Sequence, residues 1–442
     1  MRRLWIVLGC LVVLLAVAAL AAGLWVRSYL RSDAFRSLVA ARTGQALNAE
    51  ASLDPLAWSG PSVFSREIRA TGLPQSFVGS LEAQQARAEV NFRAIFDGVW
   101  RIEQLDIQRL RATIRTTPET AAPGAAPPPA PPRRGFLPNR FELGGIHAGV
   151  TDLDIEGFGR IEKADLRLRP DGAGWLVDAS GGTLDIPDRP PLAIIESRIR
   201  FQKGVAYITQ TSLRLGNNGR VSLSGEAGGK KFDIRADWQD IDAADLLDGV
   251  WKQRLSGNVS GSAHSVRKEG SAPVTTGVFL LTDGVLQGVP VQAAVARFTR
   301  APQFERMPIH EISGKFTHSA DATDVTDFVL ESKGLVRVEG SCRISANGKI
   351  DGDFQVGVTS QTLRWLPGSQ EKVFTELRDG YQWTPVKVGG TIDTPAEDLS
   401  PRLARALGET VIETGIDIIE QVPNNATDVL DKALDILSPL IP

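Results

Sequence analysis

Hydrophobic residues follow three spacings along this chain: unbroken from Leu4 to Val26, every second position through most of the length, and helical intervals after Ser400. The unbroken run, LWIVLGCLVVLLAVAALAAGLWV, holds 23 residues without a charge. As a helix it rises about 35 Å, enough to cross a hydrocarbon core ~30 Å thick. Trp5 and Trp25 stand near its ends, as interfacial aromatics do, and Arg2 and Arg3 precede it. Ala19-Leu20-Ala21 would suit a signal-peptide cleavage site, but the apolar core of a signal peptide spans only roughly 7–15 residues. The length favours an uncleaved single-pass anchor, residues 1–27, ahead of a polar body.

A short helix is expected over Ser32–Arg42, with Ser32 or Asp33 as N-cap, Gly44 as the stop, and Phe35, Leu38 and Val39 on one face. From Ala49 the period becomes two. Leu105 and Ile107, then Leu110, Ala112 and Ile114, alternate with polar neighbours. So do Leu166 and Leu168, Val221 and Leu223, Phe232 through Trp238, and Phe354 through Val358. Such alternation marks antiparallel strands with one apolar and one wet face. Turn signals recur at Pro170-Asp171-Gly172, Gly216-Asn217-Asn218-Gly219, Gly228-Gly229, Asp283-Gly284 and Asn347-Gly348. A loose phrase also returns, glycine to glycine around an alternating strand: Gly219–Gly225, Gly334–Gly340 and, as a variant, Leu255–Gly261.

Two segments break this pattern. Residues 117–134, TPETAAPGAAPPPAPPRR, hold seven of the 26 prolines and no large apolar side chain, which predicts an extended, disordered linker. It separates an N-terminal helix-and-strand portion, residues 28–116, from a main β body, residues 135–399. At residues 400–442, Ser400-Pro401 supplies a helix start, and Leu403, Leu407, Val411, Ile412, Ile416 and Ile419 keep helical spacing. A second helix is expected over Thr427–Leu437. The polar faces of this pair are acidic, which suits a cap on the β body better than a membrane surface.

Composition narrows the function. The net charge is −3 and no basic block follows the apolar run, so nucleic acid is not an expected partner. Glycine is about a tenth of the chain, against a usual ~7%, as many tight turns require. Cys10 lies in the apolar run, so it forms no structural disulfide with Cys342. The four histidines are scattered, and His310-Glu311 with His318 misses zinc-site spacing. No nucleophile elbow or phosphate loop occurs. Asp240, Asp242 and Asp245 fall in a turn before a helical-looking Ala243–Val250, without the density a calcium loop needs. The expectation is a non-enzymatic protein without metal or cofactor.

Three stretches resemble the AsmA-like family of bacterial envelope proteins. FRSLVAARTGQALNAEASLDPLAWSG is similar to the family's opening, SLEAQQARAEVNFRAIFDGVWRIEQLDIQRLRATI to its recurrent strand phrase, and PVKVGGTIDTPAEDLSPRLARAL to its closing strand and helix. The resemblance implies a mainly β fold: an N-terminal transmembrane helix in the inner membrane, a long curved antiparallel sheet in the periplasm forming an open groove, and C-terminal helices. It further implies that an apolar concave face carries phospholipid or another acyl lipid, in outer-membrane biogenesis or phospholipid transport, and it supplies no catalytic residue. The groove-lining candidates are Val221, Leu223, Phe232, Ile234, Trp238, Phe354, Val356 and Val358. Two features depart from the family: about twenty strands at ~4.8 Å spacing reach only about 100 Å, and the proline-rich insertion is not part of its pattern. The alternative is a membrane-tethered scaffold that binds another envelope protein.

Overall fold

The computed structural model describes residues 28–413 except 117–139, 188, 229–230, 248, 269, 289–303, 365–367 and 393. The apolar run Leu4–Val26, the proline-rich stretch and the expected helix Thr427–Leu437 lie outside these residues. No helix among the described residues is long and apolar enough to cross a membrane. The fold is mainly β, with about two thirds of the described residues in strands and few helices. Two compact units divide within one strand: residues 1–204 with 209–211, and residues 205–208 with 212–442.

The first unit opens with helix α1 (Asp33–Leu47). Ser32 caps it as expected, its hydroxyl accepting from the Phe35 N–H at 3.3 Å. The helix does not stop at Gly44. It continues to a left-handed Asn48 (φ 48°), whose N–H closes the last turn. Gly44 is needed for contact instead: a Cβ there would lie 2.4 Å from the Ala49 carbonyl oxygen. Phe35 and Leu38 join Leu30, Val90 and Trp100 in a buried cluster. The Phe35 and Trp100 rings meet edge to face at 5.2 Å.

The strands of this unit are β1 (Ala49–Leu53), β2 (Ala57–Ser59), β3 (Ser62–Gly72), β4 (Val78–Asn91), β5 (Val99–Ile114), β6 (Arg140–Leu143), β7 (Ile146–Ile155), β8 (Gly159–Asp171), β9 (Gly174–Ser180), β10 (Thr183–Asp185) and β11 (Leu192–Gln202). They pair antiparallel with one exception. Strand β5 runs parallel to β6 and β7, Val99 facing Arg140 and Leu105 facing Ile146. The sheet is therefore mixed, which corrects the expectation of an antiparallel one. A parallel step needs a long crossover, and the chain must return the full length of β5, about 50 Å at ~3.3 Å per residue. Residues 115–139, with their prolines, make that covalent link. They join two strands of one sheet.

The apolar face of this sheet is small and closed: Ala83, Ala86, Ala148, Ala164 and Thr151 are all at most 3% exposed. Ala83 and Ala86 are three apart, not two or four. Gln85 between them adopts left-handed backbone (φ 53°), so the in-and-out alternation slips by one residue. Lys163 (φ 57°) does the same in β8, its N–H held by the Asp152 carboxylate at 3.0 Å. The opposite face carries a ladder of polar and charged side chains across six strands. Arg87 faces Asp106, then His147, Arg167, Asp178 and Arg198 in register. His147 Nε2 lies 2.8 Å from Asp165. Asp178 sits between Arg169 (2.6 Å) and Arg198 (2.7 Å).

The second unit holds most of β12 (Val205–Leu215), then β13 (Gly219–Gly228), β14 (Lys231–Asp242), helices α2 (Ala243–Leu246) and α3 (Trp251–Arg254), β15 (Leu255–Val266), β16 (Val274–Gln287), β17 (Arg306–His318), β18 (Ala322–Ser332), β19 (Val336–Ser345) and β20 (Ile350–Thr359). Helices α4 (Ser360–Leu363) and α5 (Ser369–Lys372), strands β21 (Glu376–Arg378), β22 (Tyr381–Gly390) and β23 (Pro395–Glu397), and helix α6 (Leu399–Glu413) follow. From β13 to β20 each strand pairs antiparallel with the next, and β22 then pairs with β20. The expected turns at Gly216–Gly219 and Asn347-Gly348 are present. Asp283-Gly284 is not a turn: it lies inside β16, where Asp283 is left-handed (φ 52°) at a register shift. Asp240 (φ 54°) in β14 and Asp327 (φ 50°) in β18 are placed likewise. Aspartate tolerates this region better than most side chains. The helical stretch expected at Ala243–Val250 is shorter, Ala243–Leu246, with the Asp242 carboxylate as its cap at 2.9 Å. Ser400 does not cap α6; Glu397 accepts from the Leu399 and Ser400 N–H groups.

One consequence concerns pH. Burial alone pushes the Asp178 carboxyl up, but hydrogen bonds from Arg198 and Arg169 outweigh it and hold the group below the usual carboxylate range. Its stabilising effect is present above the unfolded value of about 3.9 and is lost as pH falls through the lower folded value. The expected outcome for Asp178→Asn is a smaller drop in urea midpoint between pH 5 and pH 3 than the wild type shows. The difference will be modest, because Arg169 and Arg198 are 60% and 55% exposed.

Candidate functional site

Residues directly opposite on antiparallel strands point to the same side of a sheet. In the second unit this rule assembles one apolar face across β13 to β20. Val221 faces Trp238, Leu223 faces Ala236, Gly225 faces Ile234 and Ala227 faces Phe232. Six strands further on, Phe354 faces Gly340, Val356 faces Val338 and Val358 faces Val336. All eight candidates from the sequence are therefore on this face, and all eight are half-buried. They form two groups, on β13–β14 and on β20.

Between the groups lies what the alternation did not show. Trp238 of β14 faces Gly261 of β15, which faces Phe279 of β16, which faces Gly314 of β17. Phe328 of β18 faces Gly340 of β19, which faces Phe354 of β20. Aromatic residue and glycine thus alternate across seven consecutive strands. The rings lie down over the glycines. A Cβ on Gly261 would stand 2.6 Å from the Trp238 ring, one on Gly314 2.9 Å from Phe279, and one on Gly340 2.7 Å from Phe354. Phe328 and Phe354 meet edge to face at 5.8 Å. In the adjacent row Phe316 covers Gly277 in the same way, at 2.6 Å.

Cover is uneven across this face. Toward α2, the aliphatic row is buried: Leu281, Ile309 and Ile312 pack with Ala243, Phe304 and Met307. At β20, Leu363, Val373 and Phe374 with Leu403 and Ala406 of α6 pack over Val356 and Val358. Those two candidates are lined up with the others but lie under helices. The rings of the aromatic row remain half-buried, and beyond them the face runs through Ala236, Ala263 and Cys342 to Ser265, Thr275 and His318 near the hairpin turns. Burial and, secondarily, the charge of Asp324 raise the pKa of the Cys342 thiol, which makes it a poor nucleophile here. Among the described residues no group of three or more His, Cys, Asp or Glu could hold a metal ion. Two concave surfaces among the described residues of the first unit, near 480 and 490 Å³, are lined in part by paired arginines and carboxylates such as Arg111 with Asp152 and Arg198 with Asp178.

Opposite β20, strand β22 is paired at its ends by β21 and β23, and its middle is closed by side chains. Arg402 donates to the Pro385 carbonyl and the Thr384 hydroxyl at 2.6 Å each, and Asp398 accepts from the Lys387 N–H at 2.9 Å. No family, no curated protein and no solved structure matches the chain. Two of the row's three glycines were visible as the loose phrase ending at Gly261 and at Gly340; Gly314 was not. Their partners were not, because register is a property of pairs of strands.

Gly314 offers a clean test of the packing, since its closest neighbours are ring atoms of Phe279 and the nearest backbone atom is 3.5 Å away. Gly314→Ala is expected to cost about 1 kcal/mol by displacing the ring. In a Phe279→Ala background the same change should be neutral or slightly stabilising, because alanine restricts the unfolded chain. Urea unfolding of the four proteins gives the coupling, expected at about 0.5 kcal/mol or more.

Proposed function

We propose that the chain handles lipid in the bacterial cell envelope: anchored in the inner membrane by residues 4–26, it holds a phospholipid or other acyl lipid on the apolar face of its second unit, in the periplasm. The observation that carries this reading is the aromatic–glycine row. A half-covered apolar face of this extent is costly in water, at roughly 25 cal/mol per Å², and soluble proteins keep such patches for binding. Glycines beneath the rings keep the floor low, leaving room above it that upright side chains would fill. The row spans six strand spacings, about 29 Å, comparable with the ~30 Å hydrocarbon core of a bilayer. An alkyl chain laid across the strands would meet rings and glycine backbone throughout, and no charged group.

The resemblance to AsmA-like proteins supports the same reading and adds outer-membrane biogenesis or phospholipid transport as its setting. The absence of a catalytic constellation in the sequence fits a carrier. The scaffold alternative would use the C-terminal helices or exposed strand edges; of these, the β22 edge is already occupied by Arg402 and Asp398, and Leu403 and Ala406 of α6 are packed against the sheet.

Mass spectrometry of the full chain, purified in detergent and then exchanged, should find phospholipid at about one molecule or more per chain. Phe316→Asp places a carboxylate beside the row at a half-buried position. It should reduce bound lipid several-fold more than Phe316→Ala does, while circular dichroism stays near wild type and both variants lower the urea midpoint. A wild-type protein that carries no lipid would sink the proposal.

A further inference from the structure

Phe96 is 94% exposed, more than any other large hydrophobic side chain among the described residues. It does not hang from a loose loop. It stands on a 3-10 helix, Phe92–Asp97, that joins β4 to β5. The Asn91 side chain caps that helix by accepting from the Arg93 N–H at 3.0 Å, and Gly98 closes it with a bond to the Ile95 carbonyl at 3.0 Å. Asn91 is itself tied to Glu103 at 2.8 Å. Ala94 beneath is 2% exposed, and Phe92 and Ile95 pack into the cluster that contains Leu30. The fold therefore holds one phenylalanine outward on a rigid turn.

The position of that turn identifies its partner. Leu30 lies four residues after Val26, the end of the apolar run, and is fixed by its own burial and by a bond from Trp58 Nε1 to its carbonyl at 2.8 Å. The cluster that seats Leu30 also seats the helix bearing Phe96. Arg31 and Arg93 are exposed in the same segments, with Asp97 as the neighbouring acid, while Asp33 is taken by Arg36 at 2.9 Å. Aromatic side chains favour the headgroup level, and arginines beside them suit an anionic leaflet.

We infer that Phe96 and Arg93 form a second membrane contact, with Phe96 dipping into the bilayer interface beside the point where the chain leaves it. This rests on the reading of residues 4–26 as an anchor. The contact would set the tilt of the first unit on the membrane, which a lone helix and a short connection would leave free.

The test uses the full chain in vesicles of phosphatidylcholine and phosphatidylglycerol, with Cys10→Ser and Cys342→Ser removing the native thiols. A nitroxide is attached at Asp97→Cys in one sample and at Asn347→Cys, in the β19–β20 turn, in another. The expected result is a several-fold higher ratio of oxygen to water-soluble nickel collisions at 97 than at 347. Adding Phe96→Asp should bring the ratio at 97 down to that at 347. A water-like signal at 97, or a ratio unmoved by Phe96→Asp, in protein that stays with the vesicles through a carbonate wash overturns the contact and leaves the anchor standing. Protein that washes off overturns both.

Discussion

Facing residues on paired strands must share one side of the sheet and one spacing, and a ring cannot lie flat unless its partner yields the room. In the second unit that condition is met by glycine on every other strand from β15 to β19. Trp238, Phe279, Phe328 and Phe354 each face glycine, and the closest approaches leave no place for a Cβ. The face is therefore apolar and low, and among the described residues its rings are only half-buried. A row of leucines on the same register would be as hydrophobic and would stand up from the sheet.

A second condition works along the strands. Alternation by two would send the residues of long strands strictly in and out, yet Ala83 and Ala86 are both buried, and Trp238 and Ile241 both belong to the apolar face. The left-handed residues Gln85, Lys163, Asp240, Asp283 and Asp327 absorb these slips. In the second unit they fall near the boundary between the aliphatic part packed under α2 and the aromatic row. Four of the five bear a charge that stays at the surface while the backbone turns, so a polar side chain at such a point costs nothing in burial.

The two units meet the problem of an apolar face differently. The first closes it with alanine and threonine and devotes its other side to arginines, aspartates and His147, from Arg87 to Arg198. Among the described residues the second leaves a half-covered band with helices packed at its margins, over Leu281 and Ile312 and over Val356 and Val358. A closed face gives stability. A band with its margins sealed is confined to one lane, which is the property a chain-like apolar ligand would use.

Much of this was legible in the sequence. Alternation located the strands, Ser32 began α1, and all eight apolar candidates fall on one face. The slip at Gln85 was even visible in β5, where Leu105 and Ile107 give way to Leu110 and Ala112. Asp283-Gly284 was misread as a turn because the same residues that reverse a chain also let a strand slip. The parallel step at β5, the burial of Val356 and Val358 under α6, and the ring over each glycine came only with the tertiary structure. Composition and spacing along one strand determine which residues want to leave water and on which side they lie. Which residue faces which is set by pairing between strands far apart in sequence, and that pairing alone decides whether an apolar face is filled or left open.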